Sequence, residues 1–149
     1  MKYFLFLSLV CLLSCKAQKQ LGDEIEGLVL LEQDGYSGIE TFETRVIRDT
    51  KSLNKFYTQI NKTRKPGLPV PMVDFSREMV LVVCLGKQQG EPSVTLFKSS
   101  ETATDLTVIV QLSNSNRPES ANTQPVTNPF YLYKMPLTEK TIIFQVAEK

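Results

Sequence analysis

Histidine is absent from all 149 residues of the chain. Imidazole is the commonest general base and the commonest neutral metal ligand, so its absence excludes the serine, cysteine and metal chemistries that need it. Cysteine is scarce, with three residues. There is no phosphate loop, because Gly86 and Gly90 stand without the lysine and the following helix that such a loop requires. Net charge is nearly absent too: 17 basic residues face 16 acidic ones, which gives no electrostatic reason to bind nucleic acid or anionic lipid. Carboxylates cluster at Asp23, Glu24 and Glu26, but an acidic run in or beside a flexible segment lacks the rigid cleft that paired acid and base groups need. Ser52 and Lys55 share the spacing of a Ser-x-x-Lys dyad, yet they fall on a helix face turned away from its apolar stripe, where chance accounts for the match.

The N-terminus is more informative. Lys2 supplies a positive charge, and Tyr3 to Leu13 is apolar except for Ser8. A run of that length suits the core of a signal peptide and falls short of the ~20 residues that a membrane-spanning helix needs. Leu12, Leu13, Ser14 and Cys15 resemble the lipobox of bacterial lipoproteins. The resemblance implies cleavage before Cys15, lipid on its thiol, and a mature chain held to a membrane of the cell envelope, facing the periplasm or the exterior. Each buried methylene contributes about 0.8 kcal/mol, and one acyl chain binds only marginally, so several chains make such an anchor stable. Processing removes Cys11 and occupies Cys15, leaving Cys84 as the free thiol with no intramolecular disulfide available. Loss of Lys2 brings basic and acidic residues level.

The expected organisation is a signal peptide over 1–14, a lipidated polar tether over 15–23 and a single globular domain over 24–149. Strands are expected at Ile25 to Glu32 and Phe42 to Arg48. Leu53, Phe56, Tyr57 and Ile60 fall at i, i+3, i+4 and i+7, which predicts a helix from about Thr50 to Arg64, capped by Asp49 or Thr50. Lys62, Arg64 and Lys65 then sit where the helix dipole favours cations, and Pro66 ends the helix. Asp74 is placed to cap a turn ahead of Glu78 to Leu85, a nearly continuous apolar run that reads as a central strand buried on both faces. Cys84 lies within it as a small buried hydrophobe. Ser93 to Lys98 and Asp105 to Ser113 follow, the latter with Leu106, Val108, Val110 and Leu112 on its more buried face. Phe130 to Met135 and Thr141 to Val146 are expected as a last pair, joined by a short connection around Pro136. About seven strands and one helix make the class α+β, with a mainly antiparallel sheet.

The order of these features resembles the PrcB-type protease complex subunits. Ser37, Gly38 and Ile39 with Arg45 to Asp49 and the helix after them carry the first part of the likeness. The second is Pro71, Val73, Asp74, Phe75, Ser76, Arg77, Glu78, Met79 and Val80 through Leu85 and Gly86, and the third is Thr127, Asn128, Pro129, Phe130 and Tyr131. Where that family commonly has a threonine–glycine–glycine–tyrosine stretch, this chain has Lys87, Gln88, Gln89, Gly90, Glu91 and Pro92. The resemblance implies assembly with or support of an envelope protein, an extracytoplasmic protease among them, and offers no catalytic residue to carry over; the expectation is a non-enzymatic lipoprotein with no cofactor or metal. The alternative class is a small carbohydrate-binding module or a carboxylate-using enzyme of the envelope.

The expected partner surface is the long polar loop from Ser113 to Asn128, with the turn Gly86 to Pro92 as a second contact. Asn114, Asn116, Arg117, Asn122 and Gln124 in the loop, together with Gln88 and Gln89 in the turn, offer hydrogen-bonding groups. Pro118 and Pro125 reduce the entropy lost when the loop is ordered, and Arg117 is the expected anchor.

Overall fold

The computed structural model describes residues 22–90, 92–113 and 125–147. In chain order its elements are β1 (Val29–Asp34), β2 (Phe42–Ile47), α1 (Thr50–Ile60), β3 (Glu78–Leu85), β4 (Gln88–Gln89), β5 (Ser93–Glu101), β6 (Asp105–Ser113), β7 (Val126–Thr127), β8 (Phe130–Pro136) and β9 (Thr141–Val146). The class is α+β, as the sequence predicts, with two of the nine strands only two residues long.

The continuous apolar run of β3 has a direct structural cause. β3 lies inside a four-stranded sheet of order β1-β8-β3-β2, every neighbouring pair antiparallel, and both faces of that sheet are covered. Val80, Val82 and Cys84 join Phe130 and Leu132 of β8 in one core, where Leu53, Phe56, Tyr57 and Ile60 of α1 close over them. Met79, Leu81, Val83 and Leu85 turn the other way and pack against Val94, Leu96, Leu106, Val108 and Val110. Those residues belong to a three-stranded sheet of order β5-β6-β9. The result is three layers: helix, four-stranded sheet, three-stranded sheet. Each fully buried aliphatic or aromatic side chain contributes about 1.5–3 kcal/mol, so the alternating halves of β3 glue the middle layer to both neighbours.

The helix begins as expected: Asp49 is the cap and accepts from the Ser52 amide at 2.8 Å. It ends earlier than the sequence predicts. Asn61 takes the C-cap, and its side-chain amide donates to the Leu68 carbonyl at 2.8 Å while its oxygen accepts from the Leu68 N–H at 2.8 Å. No basic residue lies in the last turn of α1, so the expected dipole role of Lys62, Arg64 and Lys65 is not realised. Arg64 instead reaches back to the end of β1.

The last two long strands do not pair with each other. β8 lies between β1 and β3, whereas β9 crosses to the other sheet and runs parallel to β6, from Asp105↔Thr141 to Val110↔Val146. A short connection permits this because the two sheets face one another, so Leu137 to Lys140 need only change layers. Among the described residues no helix is long and apolar enough to cross a membrane.

Candidate functional site

The strands define two ends of the molecule: a lower end, where β3 begins and β8 finishes, and an upper end, where β3 finishes and β8 begins. At the upper end, segments far apart in the chain are tied together through their backbones. Ser37 N–H donates to the Asn128 carbonyl at 2.7 Å, Asn128 N–H to the Gly35 carbonyl at 3.0 Å, and Leu85 N–H to the Pro129 carbonyl at 2.9 Å. Ser37 and Asn128 are buried polar residues and therefore need partners. They have them. Ser37 Oγ donates to the Asn128 carbonyl at 2.8 Å and accepts from the Ile39 N–H at 3.1 Å, and Asn128 Nδ2 donates to the Ile39 carbonyl at 3.3 Å.

Gly86 turns the chain out of β3 with φ +70°. A Cβ there would stand 2.7 Å from both the Glu40 carbonyl oxygen and the Thr41 carbonyl carbon. Only glycine tolerates both the left-handed backbone and that approach. The turn it opens carries Gln88 and Gln89, which pair antiparallel with Thr127 and Val126 to form the small sheet β4-β7. Gly90 N–H donates to the Pro125 carbonyl at 3.1 Å, and Thr127 Oγ1 donates to the Gly90 carbonyl at 2.8 Å. Both ends of the polar loop are therefore held at the upper end: Ser113 pairs with Ser93, and Val126 pairs with the turn. Gln88 is partly used internally, its Nε2 donating to the Leu85 carbonyl at 2.9 Å, while Gln89 is exposed. Asn114, Asn116, Arg117, Asn122 and Gln124 lie outside the described residues, as do the leader and Cys15.

Beside the root of the loop is a cleft of about 300 Å³ lined by Gln33, Asp34, Gly35, Pro92, Thr127 and Tyr131, among others. Arg64 borders it through Asp34, to which it is ion-paired and doubly hydrogen-bonded, and it also donates to the Tyr36 carbonyl. Its guanidinium carbon stands 5.8 Å from the Tyr36 ring centroid. Burial pushes the Asp34 carboxyl upward, but the bonds from Arg64 and the Tyr36 amide outweigh it and leave the group below its usual value. Arg64 carried no functional expectation from sequence. No local signal marked it, because its release from the helix depends on Asn61 meeting Leu68.

Part-way along the edge of β5, Gly22 and Asp23 are held against the sheet. Asp23 forms an antiparallel bridge with Lys98, Asp23 N–H donating at 2.9 Å and Lys98 N–H at 2.7 Å. Gly22 is packed so closely that a Cβ would meet the Lys98 carbonyl at 2.5 Å. The fold thus takes in Gly22 and Asp23. Lys98 pairs with Val108, five residues before Ser113, so the bridge stands about 17 Å from the root of the loop at ~3.4 Å per residue.

The residues weighed for catalysis are dispersed. Asp23, Glu24 and Glu26 are exposed, and Ser52 is engaged by the helix cap through its amide and its hydroxyl. Asp74 accepts from Ser76 N–H at 3.0 Å and Ser76 Oγ at 2.5 Å, so it holds its own turn. Among the described residues no group of three or more carboxylates or thiols gathers to hold a metal ion. Compared with known proteins, the chain matches no family model, no curated protein and no solved structure.

Proposed function

We propose that the mature chain is a membrane-tethered, non-enzymatic subunit that binds another envelope protein, of the kind an extracytoplasmic protease represents, through its upper end. The observation that carries this reading is convergence. Parts of the three stretches that resemble PrcB-type subunits, Ser37 to Ile39, Leu85 with Gly86, and Thr127 to Tyr131, meet at one end of the sandwich, where both roots of the polar loop are also held. Loops set on a rigid scaffold are where binding residues concentrate. Asp23 is held beside Lys98, part-way along β5, and takes no part in the contacts of the upper end.

Arg117 is the proposed anchor, with Asn114, Asn116, Asn122, Gln124, Gln88 and Gln89 around it. In-cell crosslinking with the mature protein as bait tests the reading. Consistent capture of one envelope protein, weakened by Arg117→Glu and by shortening the loop to a few glycines while the thermal midpoint holds, is the expected result. Capture of a single glycan with no protein would sink it. Unaltered capture by both variants would move the binding surface elsewhere.

A further inference from the structure

The two main sheets present four edges, and three are guarded. Along β5, Tyr131 and Tyr133 donate their hydroxyls to the Pro92 and Val94 carbonyls, the latter at 2.7 Å, and Asp23 takes up both backbone groups of Lys98. β1 has a register shift between Leu30 and Glu32 and carries the acidic Glu32 and Asp34. β2 carries the ion-paired Glu43 and Arg45. β9 has none of these devices: Thr141–Val146 contains no charge, proline, glycine or bulge, and among the described residues it pairs with β6 alone. An uncharged edge without such guards is a template for another strand.

The backbone directions on β9 follow from its two ends. Thr141 N–H donates to the Thr104 carbonyl at 2.8 Å and Ala147 N–H to the Val110 carbonyl at 3.0 Å, so both face the β6 side. Backbone groups alternate in side along a strand. Ile143 and Gln145 therefore face β6 as well, and Ile142, Phe144 and Val146 turn their N–H and C=O to the open side. The side chains of Ile142, Phe144 and Val146 lie opposite Leu106, Val108 and Val110 on the inner face, yet Ile142 and Phe144 are only partly buried and Val146 is 46% exposed. Arg48 of the β2 end donates to the Lys140 carbonyl just ahead of β9, and on β2 the inner-face Phe42 and Val46 are also exposed. Tyrosines close the seam between the sheets on one side. On the β9 side it is open and apolar.

We propose that β9 pairs antiparallel with β9 of a second copy, joining the two three-stranded sheets across a two-fold axis. In such a self-complementary contact each residue meets its own equivalent or a symmetry-related neighbour, so charges of one sign on an edge repel themselves. β9 carries no charge to repel. With Phe144 opposite its own equivalent, Ile142 faces Val146 and Ile143 faces Gln145, every outward backbone group gains a partner, and the two Phe144 rings adjoin over the open seam. Pairing consumes the bare edge in both copies, so assembly closes at the dimer. The axis runs normal to the sheet and reverses the strand direction, so the upper ends of the two copies point opposite ways. This contact is separate from the upper-end site and does not depend on the function proposed for it.

Sedimentation of the mature chain from residue 16 tests the pairing, with roughly twice the monomer mass expected at micromolar concentration. Val146→Pro removes an outward N–H without touching the pairing to β6, and it should sediment as monomer while β6 amides keep their hydrogen-exchange protection. Ile143→Cys combined with Gln145→Cys brings thiols face to face across the axis, in non-hydrogen-bonded pairs whose Cα atoms lie ~4.5 Å apart, and oxidation should yield a covalent dimer. A wild-type chain that stays monomeric with no covalent product overturns the proposal, as does a dimer that survives Val146→Pro. A monomer whose β9 amides gain protection only on adding a peptide of the β9 sequence overturns it in favour of a foreign strand.

Discussion

Ser37 Oγ donates to the Asn128 carbonyl at 2.8 Å, across 91 positions of sequence, and the same hydroxyl accepts from the Ile39 N–H. The pair is buried and satisfies itself, so the loop after β1 and the segment before β8 form one unit. Ser37→Ala leaves the Ile39 amide without that acceptor and should cost ~1–3 kcal/mol. Urea unfolding followed by circular dichroism measures it, and a midpoint equal to wild type would show that the hydroxyl is dispensable.

Cys84 is fully buried beside Val82 on the helix-facing side of β3. Burial and, secondarily, the nearby Glu43 carboxylate push its thiol up to about 12. The folded protein should therefore ignore thiol reagents near neutral pH and react once unfolded. Cys84→Ser should be less stable than Cys84→Ala, because a buried hydroxyl without a partner costs ~1–3 kcal/mol. Paired urea melts decide the matter, and equal midpoints would contradict it.

Alkaline pH should weaken the fold. Cys84 rises from 9.0 to about 12 through burial and Glu43, and Tyr133 from 10.0 to about 12 through burial and Tyr131. Tyr57 is raised further by burial and by its hydrogen bond to Glu32. A raised folded value means that the unfolded chain releases its proton first, so stability is full below the ordinary values and declines as pH climbs from about 9 through 12. Urea midpoints from pH 7 to 11 should fall only in the upper part of that range. Cys84→Ala should lose the earliest part of the decline, and an identical profile in that variant would reject the assignment.

Cys15→Ser removes the proposed attachment site and should give an uncleaved or soluble product that takes up no fatty-acid probe. Membrane fractionation after labelling reads both effects. Undiminished label on the serine variant would place the lipid elsewhere.

Local pattern was the legible part of the fold. The unbroken apolar run of β3, the alternation along β6 and the four-residue stripe of α1 are each imposed by burial on a fixed backbone period, so they identify the element and its buried face without knowledge of the neighbours. Asp49 was legible as a cap because its partners lie within three residues. The early end of α1 was not, since it depends on Asn61 meeting Leu68 after the chain has turned.

Strand partnership was out of reach for the same reason. A period of two states which face is buried, but it says nothing about which strand lies alongside, so the separation of β8 from β9 had to come from the packing of two sheets. The upper end was half visible: the sequence marked a long polar loop and a glycine turn by composition, while the β4-β7 pairing and the Ser37–Asn128 contact that gather them exist only in three dimensions. The sequence by itself determined the main elements and their buried faces, because those depend on neighbours within a few residues. Tertiary structure alone decided the strand order, the recruitment of Arg64 to Asp34 and the open edge of β9, because each depends on groups that only long-range burial brings into contact.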